Sequence, residues 1–233
     1  MYSISDEEIK AVVKSVDYSE ALTITAGEKE VREACKWGKT YGFRAVVSFP
    51  QHIGIIAEEL KDTGTRAQLA IGFPSGGHTT HVKCLEAEEG LKSGGTDLDM
   101  VMNISAFKSK DYKKVTEDIK AVMEVAKPYN IPFKVIIEIG ALSDEEKVEA
   151  AKLVLDTGAD FVKTCTGFGP GRSTVHDIVL IKQTVGDKIG IKASGGVASI
   201  EDAVAFMRAG ANIVALRKHI VEQLQAINWP HKS

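Results

Sequence analysis

Eight short apolar runs recur along this chain, and longer amphipathic stretches separate them. That alternation constrains the fold more than any other feature. The runs lie at 15–22, 43–49, 67–73, 97–103, 133–139, 160–165, 189–193 and 212–216. Several are near-continuous Val, Ile and Leu, as strands covered on both faces should be. Residues 27–41, 52–61, 78–93, 110–127, 143–157, 173–184 and 199–208 carry apolar side chains at three and four spacing, the pattern of a helix buried along one stripe. The segment at 143 opens Ser-Asp-Glu-Glu, a capping box. A further helix is expected over 5–14, ahead of the first strand. Strands alternating with helices imply a parallel sheet. Eight such units within 233 residues favour closure. The expected fold is therefore α/β, a (β/α)8 TIM barrel with an additional N-terminal helix. No linker or charge block divides residues 1–233, so one domain is expected.

Composition narrows the function classes. A formal net charge of −3 supplies no basic field for nucleic acid or an anionic membrane. It leaves room for a small anionic ligand held by a local lysine cluster. No run of about 18 apolar residues suggests a membrane span. The opening MYSISDEEIK has no apolar core and does not read as a signal peptide. Cys35, Cys84 and Cys165 are odd in number and widely spaced, so neither a disulfide framework nor a zinc site is indicated. A cytoplasmic location fits best. The segment from Asn228 to Ser233 reads either as a frayed tail or as an interface, and exterior helix faces allow a homo-oligomer such as a dimer.

Lysine inside an apolar strand is the main anomaly. Lys134, Lys163 and Lys192 each sit in a strand candidate, 29 residues apart, which is about one βα unit. The three are expected at similar levels of neighbouring strands. Asp97 and Asp99 lie on another strand. Inward side chains of a barrel meet near its axis, so the expectation is a buried cluster of amines and carboxylates near the C-terminal mouth. A lysine attacks a carbonyl only when neutral, and a second ammonium nearby lowers its pKa. A carboxylate can then move protons. A structural ion-pair network is the competing reading.

Two glycine-rich turns follow two of these strands: Thr166-Gly167-Phe168-Gly169-Pro170-Gly171 and Ser194-Gly195-Gly196. Glycine lets backbone N–H groups approach an anion, and barrels often hold phosphate at their late strands. Such loops also need glycine for purely conformational reasons. Pro74-Ser75-Gly76-Gly77 is similar but more easily explained that way. His78 and His81 read as polar residues at a helix start, with no third ligand, so no metal is expected. Asp6-Glu7-Glu8 and Asp144-Glu145-Glu146 suit helix N-termini.

Several segments resemble the deoxyribose-phosphate aldolase family, in order, from about Asp17 to Gly210. Ala159-Asp160-Phe161-Val162-Lys163-Thr164 with Thr166-Gly167-Phe168-Gly169 is similar to the family's Schiff-base strand. Gly190-Ile191-Lys192-Ala193-Ser194-Gly195-Gly196 resembles its second-lysine strand, and Asp97-Leu98-Asp99-Met100-Val101-Met102-Asn103 its catalytic-aspartate strand. Ile71-Gly72-Phe73-Pro74 with Thr79-Thr80, and Lys134 to Glu138, also match. The resemblance implies a class I aldolase, a lyase that reversibly cleaves 2-deoxy-D-ribose 5-phosphate into acetaldehyde and D-glyceraldehyde 3-phosphate. It implies Lys163 as the nucleophile, Lys192 as the group that depresses its pKa, Asp99 as the proton carrier and Lys134 as support. It implies no metal and no organic cofactor, with small phosphorylated sugars and aldehydes as partners. Ser19, Thr166, Gly167, Gly195 and Gly196 are the expected substrate and phosphate contacts.

The chain departs from the family in three places. Asp17-Tyr18-Ser19 stands where Asp-His-Thr is usual, and Cys165 where serine is usual. The larger departure is at the last strand. A Gly-Thr-Ser-Ser-Gly-like phosphate turn is replaced by Ala215-Leu216-Arg217-Lys218-His219. Arg217 and Lys218 either bind phosphate by charge, or remodel the pocket for another acidic group or aldehyde, or face solvent at a helix start. The leading function is thus the deoxyribose-phosphate reaction. The alternatives are a related lysine-dependent aldolase with a different phosphorylated or acidic substrate, and a non-catalytic sugar-phosphate binder on the same fold.

Overall fold

The structure, a computed structural model, describes residues 4–230. It is a closed barrel of eight parallel strands, each paired with the next and the last with the first. The strands are β1 (Val16–Tyr18), β2 (Ala45–Ser48), β3 (Arg66–Ile71), β4 (Asp97–Val101), β5 (Phe133–Ile136), β6 (Phe161–Lys163), β7 (Gly190–Ala193) and β8 (Ile213–Leu216). The helices are α1 (Asp6–Ser15), α2 (Glu28–Tyr41), α3 (Ile53–Glu59), α4 (Thr80–Lys92), α5 (Ile104–Lys108), α6 (Tyr112–Ala126), α7 (Asp144–Thr157), α8 (Val175–Val185), α9 (Ile200–Arg208) and α10 (Lys218–Ala226). Every expected strand and helix is present, including α1 ahead of β1. Among the described residues no helix is long and apolar enough to cross a membrane.

Local chemistry explains the helix ends. Ser143 accepts the Glu146 N–H while the Glu146 side chain returns to the Ser143 N–H, so the box read from the sequence forms. Ser5 and Glu8 do the same for α1. α1 packs on α9 and β8, and Arg208 of α9 reaches Glu8 at 2.6 Å. The strands are buried on both faces, as near-continuous apolar runs require. One large apolar cluster joins strands to helices. A smaller one, Leu22, Val47, Ala70, Phe73, Val101 and Ile136, gathers at β2–β5.

Three differences from the sequence reading concern boundaries. The strands are shorter than the apolar runs, because residues past their carboxyl ends, such as Cys165 and Thr166, leave the ladder to build the mouth of the barrel. Helix α10 lay outside the expected set, although its Ile220, Val221 and Leu224 are buried at helical spacing. The short α5 was also not expected, and Asn103 caps it by accepting the Ala106 N–H. At the C-terminus, residues 231–233 of the 228–233 tail lie outside the described residues. Within the described part, the Trp229 N–H donates to the Leu224 carbonyl at 2.8 Å and its ring packs on the core.

Candidate active site

Five strands, and Arg44 at the entry to β2, deliver charge to the barrel axis. Lys163 and Lys192 are direct register partners on β6 and β7, so their amines rise side by side. Lys134 sits lower than the equal spacing suggested: it lies opposite Phe161, two residues before Lys163, and opposite Asp99 on its other side. Lys163 Nζ and Lys192 Nζ each stand 2.7 Å from the same oxygen of Asp99. Lys134 Nζ is 3.4 Å from the other Asp99 oxygen, Oδ1, and is paired with Asp97. Lys192 also meets Asp17 at 2.5 Å. Beneath these, Arg44 joins Asp17 and Asp97 at 2.6 Å each. Isolated buried charges cost several kcal/mol each, and this cross-linking of opposite signs offsets that cost.

Only Lys163 among these amines opens outward. Its side chain is 2% exposed, whereas Lys134, Lys192, Asp17, Asp97 and Asp99 are at 0%. Burial lowers the Lys163 pKa to about 8; Lys192 pushes the same way, and Asp99 opposes it. Burial also works against the Lys192 charge, but Asp17 and Asp99 outweigh it and raise that pKa. Asp99 is held far below the usual carboxylate range: burial opposes its charge, and Lys163, Lys192 and Lys134 prevail. The site thus contains one amine that gives up its proton far more readily than a free lysine, one ammonium held charged and one carboxylate ionised at rest, within hydrogen-bond reach of each other.

The Lys163 amine faces a cavity of about 580 Å³ at the C-terminal mouth, large enough for a small ligand. Ser19, Thr166, Gly167, Gly195 and Gly196 line it, so all five expected contacts converge there. Ser173 clamps the two glycine turns together. Its hydroxyl lies 2.6 Å from the Ser194 carbonyl and 2.7 Å from the Thr164 hydroxyl, donating to one of them, and its N–H donates to the Gly195 carbonyl at 2.7 Å. Gly196 has φ +103°, and a Cβ there would stand 2.7 Å from the Ser173 carbonyl, so only glycine fits.

The altered last strand divides its two cations. Arg217 lines the cavity, with its guanidinium carbon 5.4 Å above the Phe168 ring. Lys218 begins α10, its side chain 71% exposed and 3.5 Å from Glu222. Lys218 does not line the cavity; its backbone N–H is taken by Glu20 at 2.9 Å. The expectation that both cations would act together therefore gives way to one pocket arginine and one surface lysine, because adjacent residues at a strand-to-helix junction diverge. His219 lines the cavity too, and burial lowers its pKa. Replacing Arg217 with serine is expected to raise KM for a phosphorylated substrate about tenfold or more, whereas Lys218→Ser leaves it within about twofold. Steady-state kinetics on matched phosphorylated and unphosphorylated substrates check this; equal effects of the two substitutions would reject it.

The sequence reading missed Arg44, Asp17 and His219 as parts of the site, and Arg172, which also lines the cavity. Arg44 was visible as a charge just inside a strand candidate, and Asp17 as an acid in an apolar run. Neither carries a motif that says which charge it would meet. His78 is 3.4 Å from Glu86, and no group of three or more potential metal ligands occurs among the described residues.

A closed parallel barrel whose axis carries a buried amine–carboxylate layer, opening on a glycine-lined cavity, defines a barrel lyase of the aldolase class. Residues 11–221 match the DeoC/LacD family aldolase. The chain belongs to that family. It is similar to the deoxyribose-phosphate aldolase of Caldanaerobacter subterraneus subsp. tengcongensis, with 42% identity over 89% of this chain and 90% of the relative. The deoxyribose-phosphate aldolase of a Thermoanaerobacter species is 45% identical over 86% of this chain and 90% of its own. Among solved structures, the tetrameric deoxyribose phosphate aldolase of Aeropyrum pernix superposes with a TM-score of 0.85 at 27% identity, covering 97% of this chain and 99% of that one.

Proposed function

We propose that this chain, as a single aldolase domain, cleaves 2-deoxy-D-ribose 5-phosphate reversibly to acetaldehyde and D-glyceraldehyde 3-phosphate. The observation that carries this reading is Lys163, its pKa lowered to about 8, 2.7 Å from Asp99 and opening on the cavity. The neutral amine adds to the C1 aldehyde of the open-chain sugar, and loss of water leaves a protonated imine. The C3 hydroxyl then gives up its proton. The electron pair of the C2–C3 bond flows into the imine, and glyceraldehyde phosphate departs. Protonation of the enamine at C2 and addition of water release acetaldehyde and restore the amine. Asp99, bonded to both amines, is placed to relay these protons, and Lys192 stays charged beside the imine. Lys134 steadies Asp99 from the other side. Arg217 and the turns at Gly167, Gly195 and Gly196 suit the distal phosphate. Ser19 and Thr166 complete the wall.

A homo-oligomer also belongs to this reading. Val82 and Leu85 of α4, and Val175 of α8, are exposed apolar side chains on the exterior, and the Aeropyrum relative is described as tetrameric. A reducing compartment suits three free cysteines.

Borohydride reduction in the presence of 2-deoxyribose 5-phosphate, followed by peptide mass mapping, tests the chemistry: a reduced adduct on Lys163 is expected, and its absence from folded protein rejects this substrate. The pH profile provides a second check. Because the neutral amine reacts and its pKa is about 8, kcat/KM should fall about tenfold per pH unit below 8 and level off above it. A rise continuing to about pH 10, where an unperturbed lysine titrates, would contradict the assignment.

A further inference from the structure

Glu138 stands at the exit of β5, outside the lining of the cavity, and no role has yet been given to it. Three observations single it out. Its backbone is left-handed, with φ 51° and ψ 63°, a conformation that side-chain-bearing residues avoid. Its carboxylate is buried, the residue being 3% exposed, with no cation against it among the described residues. One carboxylate oxygen, Oε2, accepts the Thr166 N–H at 3.0 Å; the other, Oε1, is buried without a hydrogen-bond partner. An acid kept in an unfavourable backbone conformation, without a counter-ion, is not explained by packing alone.

Its surroundings say what it holds. The N–H groups of Ile137 and Ile139, on either side of it, donate to the Lys163 and Thr164 carbonyls at 3.0 Å each, so the β5 exit is laced to the strand that bears the reactive amine. Thr166 is gripped at its N–H by Glu138, and its hydroxyl in turn accepts the N–H groups of Phe168 and Gly169 at 3.0 and 3.2 Å. Glu138 also fills the space beside Gly169, where a Cβ would stand 2.7 Å from the carboxyl carbon. One carboxylate thus fixes the start of the turn that carries Gly167 into the cavity and that places Phe168 beneath Arg217.

We propose that Glu138 is a positioning residue for the anion-binding half of the cavity. By holding Thr166 and crowding Gly169, it sets the 166–169 turn, and through it the Gly167 backbone and the Phe168 platform of Arg217, at the spacing that a sugar's phosphate requires. It acts through that turn and not on the amine. This role rests on the proposed reading of the cavity as a sugar-phosphate site.

The substitution Glu138→Gly removes the carboxylate while suiting the left-handed backbone, so the protein remains able to fold. Glu138→Gln keeps an oxygen that accepts the Thr166 N–H. Each variant, with wild type alongside, is assayed on 2-deoxyribose 5-phosphate and on unphosphorylated 2-deoxyribose, with borohydride trapping at Lys163. The expected result is that Glu138→Gly raises KM for the phosphorylated sugar at least tenfold and leaves the kinetics of the unphosphorylated sugar within threefold. Lys163 is still trapped, and Glu138→Gln restores KM to within threefold of wild type. Equal losses on both sugars, no change on either, or failure of Glu138→Gln to restore KM would overturn the role while leaving the aldolase reading intact. Absence of a Lys163 adduct in the wild-type protein would overturn both.

Discussion

Lys163→Ala is expected to reduce turnover by on the order of 10⁴-fold or more and to eliminate the borohydride-trapped adduct, with the barrel intact. No neighbour can stand in. Lys192 is fully buried, its charge is fixed by Asp17 and Asp99, and Lys134 lies lower, against Asp97. The fold should tolerate the change, because the lost amine already occupied an environment hostile to its charge, and Asp99 keeps Lys192 and Lys134 as partners. Thermal unfolding within a few degrees of wild type, together with absent product, is the result to look for. Substantial residual turnover by a folded variant would place the nucleophile elsewhere.

The second large effect falls on Asp99. Asp99→Asn preserves shape but replaces an anion held by three lysines with a neutral amide that cannot carry protons. A loss of about 10²- to 10⁴-fold in kcat follows from removing the proton relay. Breaking a buried ionic cluster also destabilises the fold, by about 3–5 kcal/mol where no proton is shed to compensate. The signature that separates this variant from Lys163→Ala is the adduct. Without the Asp99 charge, the nearby amines lose an influence that raises their pKa, so Lys163 stays reactive and is still trapped. The charge also makes wild type acid-sensitive. Asp99 has a lower pKa folded than unfolded, so its contribution is complete above the ordinary carboxylate range, near pH 4, and is lost as pH falls towards the folded value. A variant that traps nothing although its barrel is folded would sink the division of labour between Lys163 and Asp99.

Much of this site could be read from the sequence because barrels translate strand position directly into space. Apolar runs gave the strands, and lysines interrupting those runs had to point at the axis or be unpaired in lipid-like surroundings. The glycine turns could be read for a similar reason, since each follows a lysine strand at its carboxyl end. What stayed hidden depended on register and side-chain direction. The 29-residue interval could not reveal that Lys134 sits below its two counterparts, because loop lengths differ while unit lengths agree. Arg217 and Lys218 are neighbours with the same charge, yet one covers Phe168 and the other meets solvent at Glu222. Arg44 looks like a lone charge ahead of a strand, and Asp17 like a lone acid inside one, until the closed ring brings β1, β2 and β4 together.

That ring has a consequence in simple stoichiometry. Arg44, Lys134, Lys163 and Lys192 face Asp17, Asp97 and Asp99, so four basic groups meet three acids and the dry layer carries 4 − 3 = 1 surplus proton. Such a layer is most stable when neutral. The member with access to the cavity is the one able to shed the surplus, and that member is Lys163. Its reactivity is then a property of the whole tally and not of one neighbour. Take away a base that never touches a carbonyl, and the balance returns with Lys163 protonated and inert; take away an acid, and a second amine is freed. A chain that drifts in this layer can therefore lose its chemistry through a residue that no substrate ever meets.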